Sequence, residues 1–359
     1  MSITVRPFGT TREGTAVTLY RLETPSGAYA QVLDYGAILQ AVAVPDREGR
    51  LRDVCLGFDT PEEYQEKHGG YLGSLVGRCA NRIRGARFQL SGRPYSLAAN
   101  QPPNHLHGGL RGFDQHLWDA RAEGDTLVLS RLSPDGEEGY PGTLQVEARY
   151  TFTPDNVLIQ LVQKRIGRAN PAGSLQIGID ADTVVNLTSH AYWNLNGHEA
   201  GDVGGHTLSI DAIAYTELGA DNCPTGIIAS VVGTPFDLRT ARPLAAGWDD
   251  SHPQIVLGGG YDHNWVLRGQ GLREAAVLHA PESGITLALS TTQPGLQVYT
   301  ANFLPEEQGK GGAAYGRRRG VALEAQGFPN AINQPEFPSV TLQAGTAYSQ
   351  EIIFAFSND

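Results

Sequence analysis

Two-residue alternation runs through this chain from end to end. Leu144, Val146, Ala148, Tyr150 and Phe152 alternate with Gln145, Glu147, Arg149 and Thr151, so an extended backbone puts five apolar side chains on one face and the polar ones on the other. Similar alternation passes through Leu175-Ile177-Ile179 and Ile285-Leu287-Leu289, and shorter stretches recur at 126–132, 157–162 and 351–356. Turn signals separate them: Pro134-Asp135-Gly136, Asn196-Gly197 and Gly258-Gly259-Gly260. With 44 glycines and 21 prolines in 359 residues, long helices are disfavoured. The best helical signal is Thr60-Pro61-Glu62-Glu63, an N-cap followed by Pro and acids, good for about two turns. No Pro/Ser-rich linker and no fixed-period repeat divides the chain. The expectation is an all-β protein, one large antiparallel β-sandwich domain spanning residues 1–359.

Charge and cysteine content narrow the function classes. Lys and Arg number 27 against 38 Asp and Glu, a formal net charge of −11, which does not suit a nucleic-acid partner. The run Arg317-Arg318-Arg319 reads as a solvated loop. Cys55, Cys79 and Cys223 form neither a disulfide framework nor a zinc pattern. The N-terminus lacks a basic segment leading into an apolar one, and no run approaches the ~18 apolar residues of a membrane span. A cytoplasmic protein, with no membrane partner, is expected.

Six segments hold polar residues that strand and turn grammar leaves unexplained. Gly77-Arg78-Cys79-Ala80-Asn81-Arg82-Ile83 offers Asn81 and Arg82; an isolated Arg would be a rim charge. Asn104-His105-Leu106-His107-Gly108-Gly109 offers two histidines that would point to one side of an extended segment. They could ligate a metal, yet no third ligand of suitable spacing is evident, so no metal is expected. Ser189-His190-Ala191-Tyr192-Trp193 carries a histidine whose plainer account is a buried ring with satisfied hydrogen bonds. Asp262 follows a glycine run and Gln297 lies in Pro294-Gly295-Leu296-Gln297-Val298; an ordinary capping acid and turn amide would explain each on its own. In Val321-Ala322-Leu323-Glu324-Ala325-Gln326, Glu324 shares a strand face with Ala322 and Gln326, inside an otherwise apolar run. A carboxylate there is costly unless it is paired or used. Fixed donors and acceptors beside aromatic walls suit a neutral polyol. There is no GxxxxGK[ST] loop, no strand–GxGxxG–helix unit and no GxSxG elbow.

Taken in order, GRCANRIRGARFQL at 77–90, NHLHGG at 104–109, SPDGEEGYPG at 133–142, SHAYWNLNGH at 189–198, GGGYDHNWVL at 258–267, PGLQVYTANFL at 294–304 and ALEAQGFPNAINQPEFPS at 322–339 resemble the galactose mutarotase (aldose 1-epimerase) family. The resemblance implies a large β-sandwich with an open cleft, acting without cofactor on a monosaccharide as a monomer or homodimer. By position, His190 is similar to the family's general acid and Glu324 to its general base, with His107 close to the ring oxygen. Asn81, Arg82, Asp262 and Gln297 match positions that hold sugar hydroxyls. Ala191 replaces a frequent Ser, and Asn330 a frequent Asp.

Opening a hemiacetal needs one proton delivered to the ring oxygen and one removed from the C1 hydroxyl. His titrates near neutrality, and Glu324, kept ionised by nearby donors, is expected to accept. Rotation about C1–C2 and reclosure then give the other anomer. The rival readings are a hexose-6-phosphate 1-epimerase, which would want a basic cluster that the three lysines Lys67, Lys164 and Lys310 do not supply although Arg84, Arg87 or the Arg317 triplet could, a non-catalytic sugar-binding protein, and a glycosidase using Asp262 and Glu324.

Overall fold

The structure is a computed structural model and describes residues 2–164 and 181–359. Its strands form three main antiparallel sheets. The first, of five strands, is a meander over residues 2–53. The second, of nine, runs in the order Asp119–Glu123, Thr126–Ser133, Leu144–Phe152, Val157–Lys164, Ser349–Asn358, Ile285–Thr291, Arg273–His279, Thr207–Ile210 and Arg242–Pro243. The third, of six, runs Tyr192–Trp193, Val321–Gln326, Gly295–Tyr299, Asp262–Leu267, Ala212–Leu218 and Pro224–Ser230.

The alternation predicted at 144–152 is realised: Leu144, Val146, Ala148, Tyr150 and Phe152 are all buried. Glu147 on the opposite face is buried as well, because Arg121, Arg149 and Gln163 cover its carboxylate. The stretch Leu175-Ile177-Ile179 lies outside the described residues. At Pro61–Glu66 the expected helix forms with a capping box, Thr60 Oγ1 accepting from Glu63 N and Glu63 reaching back to the Thr60 N–H. A second short helix, Pro253–Gly258, was not expected; it ends on Gly259, whose φ of 65° is the left-handed value glycine tolerates.

One buried cluster takes residues from all three sheets, among them Val32 and Val42, Tyr150 and Phe354, Trp193, Trp265, Leu296 and Leu323. The six-stranded sheet shows how the core positions the site. Val321, Leu323 and Ala325, with Leu296, Val298 and Trp265, face this core. Strand alternation therefore turns Ala322, Glu324, Gln326, Gln297, Tyr299, Asp262 and Asn264 to the other face. Full burial of each large apolar side chain is worth about 1.5–3 kcal/mol, which is what holds Glu324 against the cost of its own burial.

Candidate active site

On that second face lies a cleft lined by Tyr71, Asn81, Arg82, Gln101, His107, His190, Tyr192, Asp262, Tyr299, Phe303 and Glu324, among others. Six of the seven residues singled out in sequence thus meet in one place. The seventh, Gln297, stands behind it: its Nε2 donates to Asp262 Oδ1 at 2.7 Å, and it is buried outside the cleft lining.

Asn81 and His107 are locked together. His107 N donates to Asn81 O at 3.1 Å, and Asn81 N donates to His107 Nδ1 at 3.2 Å. Asn81 Oδ1 accepts the Arg82 N–H, which leaves its Nδ2 as a donor without a partner among the described residues. Arg82 is steered by Gln101, whose Oε1 accepts from Arg82 Nε at 2.7 Å. Beside His107, Gly108 is obligatory, since a Cβ there would overlap the Gly77 carbonyl and its φ is 91°.

The two histidines of this segment do not point the same way. His107 has φ 51°, so the backbone leaves the extended conformation on which the same-side expectation rested. His105 turns into the protein, its ring nitrogens meeting Ala98 O and Tyr140 OH, each at 2.7 Å. Tyr140 belongs to the 133–142 turn, which is pinned by the buried Arg78: the guanidinium donates to the carbonyls of Ser133, Pro134, Pro141 and Gly142. The same turn supplies Glu138, which accepts from Leu110 N and Arg111 N.

His190 is fixed by its backbone, His190 N donating to Ser74 O at 2.9 Å and Gly73 N donating to His190 O at 3.0 Å. Its ring lies 5.1 Å from those of His107 and Tyr192, and its Nε2 stands 3.6 Å from Glu324 Oε1. Both side chains are buried. Desolvation lowers His190 to about 4 and, with help from Asp262 and against Arg82, raises Glu324 well above the usual carboxylate range. Desolvation, then His190 and Arg82, likewise hold His107 well below 6.5. Burial thus favours the neutral form of each group, with one proton on the His190–Glu324 pair. The donors expected to keep Glu324 ionised are not found among the described residues: none makes a hydrogen bond to its carboxylate, and Oε2 is buried without a partner.

His107, His190 and Glu324 bring donor atoms within 4.8 Å of one another, the third ligand that spacing alone did not disclose. A neutral His107 accepts a backbone N–H at Nδ1, so its proton sits on Nε2. Metal ligation through Nε2 would require losing that proton, and the set does not fit a cation. Toward the cleft His107 is a donor.

Neither Ala191 nor Asn330 lines the cleft. Ala191 is packed in the main core. Asn330, at φ 58°, accepts Arg84 N on Oδ1 and donates its own N–H to Arg82 O. The arginine triplet is not a solvated loop throughout. Arg318 is buried, bonded to Thr300 Oγ1, Asn302 Oδ1 and Gly259 O, and it ties the 258–262 segment to the 300–304 segment. Gln101 and Tyr71 were not expected at the cleft, since Gln101 reaches it only through the bond to Arg82 and Tyr71 follows a plain glycine turn; the exposed Phe303 stands at the cleft mouth.

Residues 18–355 match the family model described as aldose 1-epimerase. The chain is 41% identical to the galactose mutarotase of Sus scrofa over 360 residues, 99% of each chain. Among solved structures, it is similar to the aldose epimerase homologue of C. elegans (TM-score 0.84, 30% identity, 95% of this chain and 98% of that one). It is also similar to galactose 1-epimerase from Lactobacillus acidophilus (TM-score 0.83, 27% identity, 99% of each).

Proposed function

The chain belongs to the aldose 1-epimerase family, and from that premise we propose that it interconverts the α and β anomers of free aldoses with His190 and Glu324 as its proton-transfer pair. The observation that carries the assignment is the 3.6 Å between His190 Nε2 and Glu324 Oε1 at the floor of one cleft. Two groups so close can reach the two oxygens borne on a single carbon.

In the forward direction His190 is the acid and Glu324 the base: once the pair's single proton has passed from the Glu324 carboxyl to His190, His190 protonates the ring oxygen as Glu324 takes the C1 hydroxyl proton, and the C1–ring oxygen bond breaks to leave an open-chain aldehyde. Rotation about C1–C2 presents the other aldehyde face. Reclosure returns the proton from the ring hydroxyl to the pair and delivers one to the new C1 oxygen, so the roles of His190 and Glu324 exchange. The number of protons on the pair is the same before and after, so neither metal nor nucleotide is required for the balance. His107, a donor by its tautomer, can bond the ring oxygen without taking part in the transfer. Asn81 Nδ2, Arg82 and Asp262 supply two donors and an acceptor for the remaining hydroxyls, and Tyr71, Tyr299 and Phe303 offer apolar walls to the C–H faces.

The geometry disfavours a phosphorylated substrate. Among the described residues lining the cleft, Arg82 is the only Lys or Arg; Arg84 pairs with Asp221 at 2.8 Å, and Arg318 is committed to Thr300, Asn302 and Gly259. A cytoplasmic setting agrees with three buried free cysteines. The deciding experiment is polarimetry on freshly dissolved α-glucose and α-galactose, with and without protein. No acceleration with any free aldose would leave a sugar-binding protein as the better reading.

A further inference from the structure

The carboxylate of Glu324 backs onto a row of polar side chains that the reaction does not use. In the six-stranded sheet Asn264 is the cross-strand partner of Gln297, and Gln297 of Glu324. One step further from the cleft mouth, Gly295 is the partner of Gln326. Cross-strand partners share a face, as do residues two apart on one strand, so Asn264, Gln297, Glu324 and Gln326 surround Gly295. Glycine is what makes the room: a Cβ on Gly295 would overlap Asn264 Oδ1 and lie 3.0 Å from the Phe328 ring. All four polar side chains are at most 2% exposed. Yet both amide atoms of Asn264, both of Gln326, Gln297 Oε1 and Glu324 Oε2 have no partner among the described residues.

Six buried polar atoms orphaned together are not sustainable in a folded protein, since each would cost about 1–3 kcal/mol. Water is the ligand whose size and mixed donor–acceptor character satisfy them, because it needs two to four polar partners and finds amide donors and acceptors here. We propose that Asn264, Gln297, Gln326 and Gly295 form a built hydration site beneath the cleft, whose bound water donates to Glu324 Oε2 and holds the carboxylate ionisable. This deepens the assignment of Glu324 as the base and rests on it. It also supplies the donor that no group among the described residues provides. Gln297 has a place in both networks, since its Nε2 holds Asp262 while its Oε1 faces the water.

The groups facing Glu324 from neighbouring elements are His190 and His107 from their loops, Arg82 from the Asn81 turn, Asp262 on the adjoining strand pair and Tyr192 beside Ala322. None of these is altered by substituting Gln326, which makes it the clean probe. Gln326→Leu removes two polar partners of the water and leaves the cleft lining unchanged. The acidic limb of the kcat–pH profile should move up by about one pH unit, a roughly tenfold loss of kcat below the limb, with KM for galactose unchanged. Gln326→Asn, which keeps an amide, should restore most of the limb. A packing role alone would lower Tm and leave the limb in place. A crystal structure of the parent enzyme should show ordered water bonded to the Gln326 amide and to Glu324 Oε2. An unmoved limb in a folded Gln326→Leu, or amides bonded to one another with no water between them, would overturn the proposal. Should Glu324→Gln keep normal turnover instead, the base assignment would fail while the crystallographic water would still stand.

Discussion

Arg82 and Asp262 face each other across the cleft with Nη1 and Oδ2 3.9 Å apart, close enough to attract and too far to hydrogen-bond. Each is held from behind by an amide, Gln101 on the arginine and Gln297 on the acid. The gap suits a hydroxyl that accepts from one and donates to the other. Asp262→Asn keeps the shape but gives up the charge. Its KM should rise by about tenfold, the loss of one charge-assisted hydrogen bond, while kcat falls less than in a Glu324 variant because this bond is made in ground and transition states alike. A deoxy-sugar series read by polarimetry checks it: the variant should no longer discriminate against the one analogue lacking that hydroxyl. Unchanged discrimination across the series would make Asp262 a structural acid.

Removing either member of the proton-transfer pair should behave differently. His190→Gln and Glu324→Gln should each lower kcat by about 10²–10⁴-fold with little change in KM, since the interaction is lost only in the transition state. Near-normal turnover in either variant would release that residue from the pair.

Activity should survive exhaustive dialysis against EDTA, because His107 presents a protonated Nε2 to the cleft and the proton count balances on side chains alone. Loss of activity restored by added zinc would refute this. His105→Phe should lower Tm through the lost bonds to Tyr140 and Ala98 yet leave kcat largely intact. His107→Ala should show the reverse. Equal loss of kcat from both would make the whole segment a structural unit.

Stability should decline in mild acid. His263 is held at about 3, and His105, His190 and His206 at about 4, burial being the largest cause in each. Their folded pKa values are depressed, so between 6.5 and about 4 the unfolded chain binds protons that the native state refuses. Their contribution is complete above 6.5 and is lost as pH falls. Asp114, raised to about 7 by desolvation, and Glu324 slope the opposite way, losing stability as pH rises, but the histidines outnumber them. Urea denaturation at pH 7.5 and 5.5 should show the drop. His263→Phe should shrink the difference by about 1.4 kcal/mol, one titrating group taken one unit below its free pKa; an unchanged difference would show that His263 is not held neutral.

What could be read from sequence was whatever a few consecutive residues decide. The capping box from Thr60 to Glu63 closes within four positions, and the face assigned to Glu324 follows from strand period alone. What could not be read depends on register between distant strands. Arg318 is buried and its neighbours are not, because the Thr300–Asn302 turn reaches the middle guanidinium; nothing within the triplet distinguishes it. The same-side reading of His105 and His107 failed at one dihedral, a positive φ at a histidine. The Gln101 brace on Arg82 is invisible until the strands Arg82–Ile83 and His105–Leu106 pair. Gln297 was placed in the correct neighbourhood, but its bond to Asp262 Oδ1 was not legible, since that bond depends on the pairing of Asp262–Leu267 with Gly295–Tyr299.

The turn at 133–142 has the composition of a surface tip that protein engineers would choose for a tag or a fused domain. Its anchoring on Arg78, its Tyr140–His105 bond and its Glu138 cap on Leu110 and Arg111 make it the opposite of a permissive site. An insertion there pulls on the same short segments that carry Asn81 and His107. The turn at Gly124, between Asp119–Glu123 and Thr126–Ser133 on the same sheet, makes none of these bonds among the described residues, and a cargo attached there leaves them in place.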